Sequence, residues 1–371
     1  MKYIAKMMLA LLASVTLVVP AYAWDFSAGG TMQAQFNSTT TVPSTGANTQ
    51  SSGGVSSEGS GLTLKSSNTD GDHSATFSYT ADWDGNLDET IKVAGSKKAG
   101  KWTGSADVSY NIGAGAQTGE DTGAVTVTDG TLTIKLGDAG HLPGQNVSSS
   151  SVAGGSVSMD GADDDLGVGA FVDGFHGVSA GYKMSDTMSI TVAYQSSGDA
   201  NDLLGAQEFM DNETAAYGTS GFGAAVSLAA GPATIGATFG NASTKDNSGA
   251  GGSKKTTHSV LGVGVKLDLG DIDPFISFGS NSSKGTESAL EAKNGGFDVG
   301  LKMAMGSDSV VAYFGSITEG DASAETTTTG LEVGYNTTVG PSSLGIGYGS
   351  KSNSDSGYTY SDIEVQMKMS F

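Results

Sequence analysis

Residues 363–371 read IEVQMKMSF. Ile363, Val365, Met367, Met369 and Phe371 fall on one face of an extended strand, and Glu364, Gln366, Lys368 and Ser370 fall on the other. A bare strand edge invites pairing with other chains, so this segment needs a partner strand. Its apolar face also needs something apolar to lie against.

The same alternation recurs along the chain. Phe26, Ala28, Gly30, Met32, Ala34 and Phe36 share one parity, as do Ala75, Phe77, Tyr79 and Ala81. Leu261, Val263, Val265 and Leu267 repeat it, followed by Phe297, Val299, Leu301 and Met303 and then by Leu331, Val333 and Tyr335. The opposite parity carries Ser, Thr, Gly, Asp and Lys. Helical spacing has no comparable support beyond the N-terminal segment.

That segment, MKYIAKMMLALLASVTLVVPAYA, has two lysines, an apolar core, the helix breaker Pro20 and an Ala21-Tyr22-Ala23 motif. It reads as a secretory signal peptide, residues 1–23, cleaved before Trp24. No apolar run of 18 residues follows, so no transmembrane helix is expected. Cysteine is absent, which excludes disulfide staples. Losing Lys2 and Lys6 with the signal would take the formal net charge from −21 to −23, which argues against nucleic acid and against anionic membrane surfaces as partners.

Connections alternate in length. Short turns at Ser185-Asp186, 229–232, 270–274, 306–308 and 339–341 interleave with longer polar stretches at about 197–212, 241–256, 281–294, 318–326 and 351–357. Short turns at one end and long loops at the other describe an outer-membrane barrel of a Gram-negative cell, with the C-terminus on the short-turn, periplasmic side. In hydrocarbon every backbone polar group needs a partner, which a closed barrel supplies. The last strand would therefore close on the first, WDFSAGGTMQAQF, with Trp24, Phe26 and Phe371 together at the periplasmic rim. The direct count is 18 strands, with 16 and 20 open. The expected fold is thus an all-β, up-and-down antiparallel transmembrane barrel of about 16–18 strands spanning 24–371.

These features resemble the Gram-negative general diffusion porins. The resemblance rests on the signal peptide, the strand beginning WDF and the terminal strand ending on Phe371. It also rests on DGTLTIKLGDAG at 129–140, and on Phe175, Gly177 and Tyr182 of FHGVSAGYKM at 175–184. It implies a homotrimer, insertion by the barrel-assembly machinery through the C-terminal strand, and an inward-folded constriction loop at 138–167. It further implies that Asp160, Asp163, Asp164 and Asp165 form the acidic side of the constriction, opposite basic wall residues. The chain has no arginine, so the basic side would fall to Lys92, Lys101, Lys135 and Lys183.

Parity adds Lys65, Lys266, Lys302 and Lys368, and the acids Asp82, Asp107, Asp268, Asp298, Glu332 and Glu364, to the expected lumenal set. The four histidines are scattered, no metal or cofactor motif is present, and no catalytic motif survives scrutiny, so no enzyme is expected. The function expected is a water-filled channel for passive diffusion of ions and small hydrophilic solutes, mildly cation-selective, lying in outer-membrane lipid. The alternative is a substrate-selective channel or receptor, which would place aromatic residues along the path.

Overall fold

The computed structural model describes residues 24–43, 49–56, 60–82, 88–112, 118–137, 177–197, 217–246, 254–285, 291–321, 324–354 and 359–371. The 1–23 segment and the expected constriction loop, with Asp160, Asp163, Asp164 and Asp165, lie outside these residues.

Among the described residues nineteen strand segments follow one another. They are β1 Asp25–Val42, β2 Gln50–Ser56, β3 Gly61–Asp70, β4 His73–Asp82, β5 Asp88–Ala99, β6 Trp102–Ile112 and β7 Thr118–Thr128. Next come β8 Leu132–Gly137, β9 Gly177–Lys183, β10 Met188–Ser197, β11 Tyr217–Ala230, β12 Ala233–Asp246 and β13 Lys254–Leu267. The last are β14 Ile272–Gly285, β15 Glu291–Met305, β16 Asp308–Asp321, β17 Glu325–Val339, β18 Ser342–Asn353 and β19 Thr359–Ser370. Along β1, residues Gln35–Thr41 pair with β2 and Asp25–Thr31 pair with β3. β2 and β3 therefore lie end to end as one strand, and the circuit has 18. Ser60, between them, donates its hydroxyl to Gln33 O at 3.2 Å and accepts from Gln33 N at 2.9 Å, so the ladder is bridged across the break.

Every neighbouring pair is antiparallel. β19 pairs with β1 from Thr31↔Ser370 to Val42↔Thr359, which closes the sheet on itself. The residues of 363–371 divide as their alternation requires. Ile363, Met367 and Phe371 are exposed on the outer surface, while Glu364 and Gln366 are buried on the inner one. The nine positions from Ile363 to Phe371 match the length a tilted strand needs to cross hydrocarbon.

Short turns occupy one end of the barrel. Gly231 and Gly340 each precede a proline and hold φ at 61°, in the left-handed region that tight hairpins use. At the other end the strands run further than expected. β12 and β13 continue to Asp246 and from Lys254, and β14 and β15 leave only 286–290 between them. The reason is chemical: above the apolar band the outward residues become hydroxylated, as in the cross-strand pairs Ser259–Ser282 at 2.7 Å and Thr318–Thr327 at 2.9 Å. Apolar alternation stops there, and the backbone ladder does not.

A row of outward aromatics marks the top of the apolar band. Phe222 and Phe239 are 6.0 Å apart, Phe278 and Phe297 6.2 Å, and Phe297 and Phe314 5.9 Å between ring centroids. Such girdles form where ring faces meet the boundary between hydrocarbon and headgroups.

Candidate functional site: the inner wall

Inward residues of β14 to β19 and β1 build a carboxylate-rich arc. Asp298 on β15 is fully buried and accepts hydrogen bonds from the Tyr313 hydroxyl of β16 at 3.1 Å and the Ser277 hydroxyl of β14 at 3.3 Å. Tyr313 stacks on Phe275, with 6.5 Å between centroids and 14° between planes. The ring of Phe275 occupies space left by inward Gly300, where a Cβ would come within 2.5 Å of it. Glu332 on β17 is buried, as are Asp362, Glu364 and Gln366 on β19 and Gln35 on β1. Asp362 accepts from the Asn37 amide at 3.1 Å. Between Glu332 and the acids of β19, strand β18 presents Gly345, Gly347 and Gly349 inward, all buried. The acids thus flank a floor of bare backbone.

The opposite arc carries lysines together with the inward acids Asp82 and Asp107. Lys65 and Lys92 are exposed on the inward parity of β3 and β5, and Lys92 Nζ lies 3.0 Å from Asp107 Oδ2. Lys135 on β8 sits in register with Thr126 and Ser179. The strand of Lys135 is half-way round the 18-strand circuit from that of Glu332. Lys302, Lys351 and Lys368 share the acidic arc, with Lys302 and Lys368 near its short-turn end.

Two of the four expected basic wall residues stand at the short-turn rim. Lys183 ends β9 and pairs with Asp186 at 2.7 Å, which lowers the carboxyl pKa of Asp186. Lys101 belongs to the turn between β5 and β6, lies 2.9 Å from Asp129 Oδ2, and rests 5.2 Å above the Trp102 ring. The alternation that pointed Lys101 inward ends one residue too early to govern it. Asp129 also accepts from the N–H groups of Leu132 and Thr131 at 2.8 and 2.9 Å. The Leu132 bond, then Lys101, then the Thr131 bond hold its pKa down at about 2.

Trp24, Phe26 and Phe371 do not share one level. Phe371 is paired with Gly30, four residues along β1 from Phe26, or about 13 Å of strand. β1 overshoots the end of β19 and pairs there with β3.

Sequence reasoning missed Asp362, although it shares the parity of Glu364. It also missed the inward rings of Phe275 and Tyr313. In VVAYFGSI, residues 310–317, both parities are apolar and no periodic signal separates them. Both rings are only 4% exposed, so they pack the wall and offer no open aromatic face to a solute. Among the described residues no group of three or more His, Cys, Asp or Glu side chains is arranged to hold a metal ion.

No protein-family model matches this sequence, and no curated protein matches it. Solved structures do resemble the fold. The anion-selective porin of Comamonas acidovorans is 14% identical, with 94% of this chain and 100% of that one covered and a TM-score of 0.57. OpdQ of Pseudomonas aeruginosa is 10% identical over 93% of this chain and 98% of its own, with a TM-score of 0.54. A loop-deletion mutant of OmpT, an outer-membrane protein of Vibrio cholerae, is 11% identical over 93% and 99%, with a TM-score of 0.52. The chain has the closed antiparallel barrel fold of these outer-membrane proteins.

Proposed function

We propose that this barrel is an outer-membrane channel through which ions and small hydrophilic solutes diffuse passively, with a mild preference for cations. The observation that carries the reading is the division of one closed sheet into an apolar outer band and an inner wall of Asp, Glu, Gln, Ser and Lys. A wall of that kind keeps water inside, while the outer band lies in lipid. The excess of acid over lysine favours cations, and the facing arcs of acid and lysine set a field across the lumen. Asp160, Asp163, Asp164 and Asp165 are proposed to add to the acidic side. The proposal extends to a homotrimer, to assembly through β19, and to export with removal of residues 1–23. N-terminal sequencing of the membrane protein should then begin at Trp24.

The deciding experiment is single-channel recording in a planar bilayer under a salt gradient. Stepwise conductance with a reversal potential displaced toward cations is expected. A preparation that stays compact in detergent until boiled, yet shows no conductance, would end the channel reading.

A further inference from the structure

The two ends of the outer apolar face differ in chemistry. Phenylalanine rings mark the end toward the long connections, at Phe222, Phe239, Phe278, Phe297 and Phe314. The methionines among the described residues all stand toward the short-turn end. Met184 and Met188 flank the turn after β9, and Met303 and Met305 close β15. Met32, Met367 and Met369 gather where β19 closes on β1. The chain has no cysteine, so thioethers are its only sulfur.

The group at the seam differs from the other two in what it joins. Met32 lies directly opposite Met369, two residues from the Gly30–Phe371 pair that exchanges both backbone bonds. Ladder alternation makes Met32 and Met369 a pair of the same hydrogen-bonded kind, with Cα atoms about 5.5 Å apart. Met367 is the next outward position along β19 and faces Ala34. Met32 is 56% exposed and Met367 46%, so both side chains are open at the outer surface. The outward residues in register with these two are Met369, Ala34 and Leu344, none of which has a side-chain hydrogen-bond donor. Ser342, opposite Met369, carries the one hydroxyl in register with the group.

A thioether suits this face because it is apolar and flexible. A two-electron oxidant such as hypochlorous acid changes that. The sulfur donates an electron pair to the oxygen of the oxidant and an S–O bond forms. The O–Cl bond breaks, chloride leaves with the bonding pair, and the hydroxyl proton passes to water. Sulfur is thereby oxidised by two electrons to the sulfoxide, and chlorine is reduced to chloride. The sulfoxide is polar, and at Met32 and Met367 no side-chain donor stands in register to satisfy it. In hydrocarbon such a group favours any state that lets water reach it, and at this place that state is an opened seam. We propose that Met32, Met367 and Met369 form an oxidation site through which such oxidants loosen the closure of the barrel, and that reduction of the sulfoxides restores it. The inference rests on the membrane placement of the proposed function and not on conduction.

The test exposes the whole barrel, folded in lipid vesicles, to hypochlorous acid. Peptide mass mapping locates the sulfoxides, and heat-modifiable gel mobility gives the temperature at which the folded form converts to the unfolded one. In wild type one oxygen should be gained at each of Met32, Met367 and Met369, and the transition should fall by roughly 2–4 °C per sulfoxide. Methionine sulfoxide reductases with dithiothreitol should return it to its starting value. M32L/M367L/M369L, which nearly conserves volume, should hold its transition on oxidation. M184L/M188L/M303L/M305L should fall as wild type does. If the triple variant does not fold, M32L/M367L serves and should lose most of the shift, since Met369 has Ser342 beside it. The proposal is overturned if the seam methionines of the folded barrel gain no oxygen, or gain it with the transition unchanged. It is equally overturned if the seam variant falls as far as wild type, or if reductases remove the oxygens without restoring the transition. A barrel that conducts nothing before oxidation, yet shows these shifts, leaves the proposal standing and sinks the channel reading alone.

Discussion

Phe371 and Gly30 exchange two backbone hydrogen bonds, Gly30 N to Phe371 O at 2.9 Å and Phe371 N to Gly30 O at 3.0 Å. The Phe371 ring lies over Gly30 so closely that a Cβ there would stand 2.5 Å from Cζ and 2.9 Å from the Gly61 carbonyl oxygen. This pairing seals the seam between β19 and β1. Gly30 is therefore fixed by the two strands flanking it as much as by its own conformation.

Gly30→Ala should loosen that seam, because the ring can swing aside but the Gly61 backbone cannot. The folded, fast-migrating form should then convert to the unfolded form at a lower temperature than wild type. Adding Phe371→Ala should recover part of the loss, since it clears the ring and leaves the Gly61 contact. An equal transition temperature for Gly30→Ala and wild type would refute this account of the closure.

Gly300→Ala should destabilise the wall by about 1–3 kcal/mol, the usual penalty for overpacking. Its Cβ would meet Phe275 Cε1 at 2.5 Å and the Ala312 carbonyl oxygen at 2.7 Å. Phe275→Leu in the same chain should relieve the first contact only. Equilibrium unfolding in denaturant with lipid vesicles measures both, and a neutral Gly300→Ala would contradict the packing described.

Asp129 gives a pH dependence with a definite sign. Its folded pKa of about 2 lies below the ordinary carboxylate value, so its contribution to the turn is complete above pH 4 and is lost as pH falls through 2. Between pH 5 and 7 the turn should not respond to pH. Carboxyl NMR of the detergent-solubilised barrel should place the Asp129 midpoint near 2, and Lys101→Met should raise it. Because the Leu132 N–H bond is the larger cause, a midpoint returning fully to the ordinary value in Lys101→Met would show the assignment of causes to be wrong.

How much of this was legible beforehand follows from what each residue faces. Residues 363–371 announced their strand because one face is apolar and exposed on the outside and the other lies on the polar inner wall, a division that forces strict alternation. The short turns were legible through Gly231-Pro232 and Gly340-Pro341. The upper ends of β12 to β15 were not, because serine, threonine and lysine look the same in a loop as on a strand with polar residues on both faces. Tyr313 was hidden for the opposite reason: it sits in a run that is apolar on both faces, whereas Phe275 is a single ring on a parity that also carries Asp273 and Ser277. Lys101 shows the limit of parity itself, which has no meaning once the chain enters a turn.

Selectivity divides the proposed constriction from the wall. Asp298, Glu332, Asp362 and Glu364 form an inner arc that is buried, facing the exposed Lys92 and the half-exposed Lys135 across the lumen. Charges so placed act on ions through low dielectric and are screened less than charges in open water, where the field fades over about 8 Å at physiological salt. The wall should therefore govern a share of the cation preference that salt reduces only slowly, and Asp163, Asp164 and Asp165 a share that salt reduces quickly. Glu332→Gln is expected to lower the cation/anion permeability ratio at both 0.1 M and 1 M salt, as orders of magnitude for low and high screening. Asp163→Asn, Asp164→Asn and Asp165→Asn together are expected to lower it chiefly at the lower salt. Lys92→Gln should raise the ratio, which checks the opposite arc with the opposite sign. If the triple asparagine variant alone abolishes the preference at both salts, the wall carries none of it and its acids serve only to hold the sheet together.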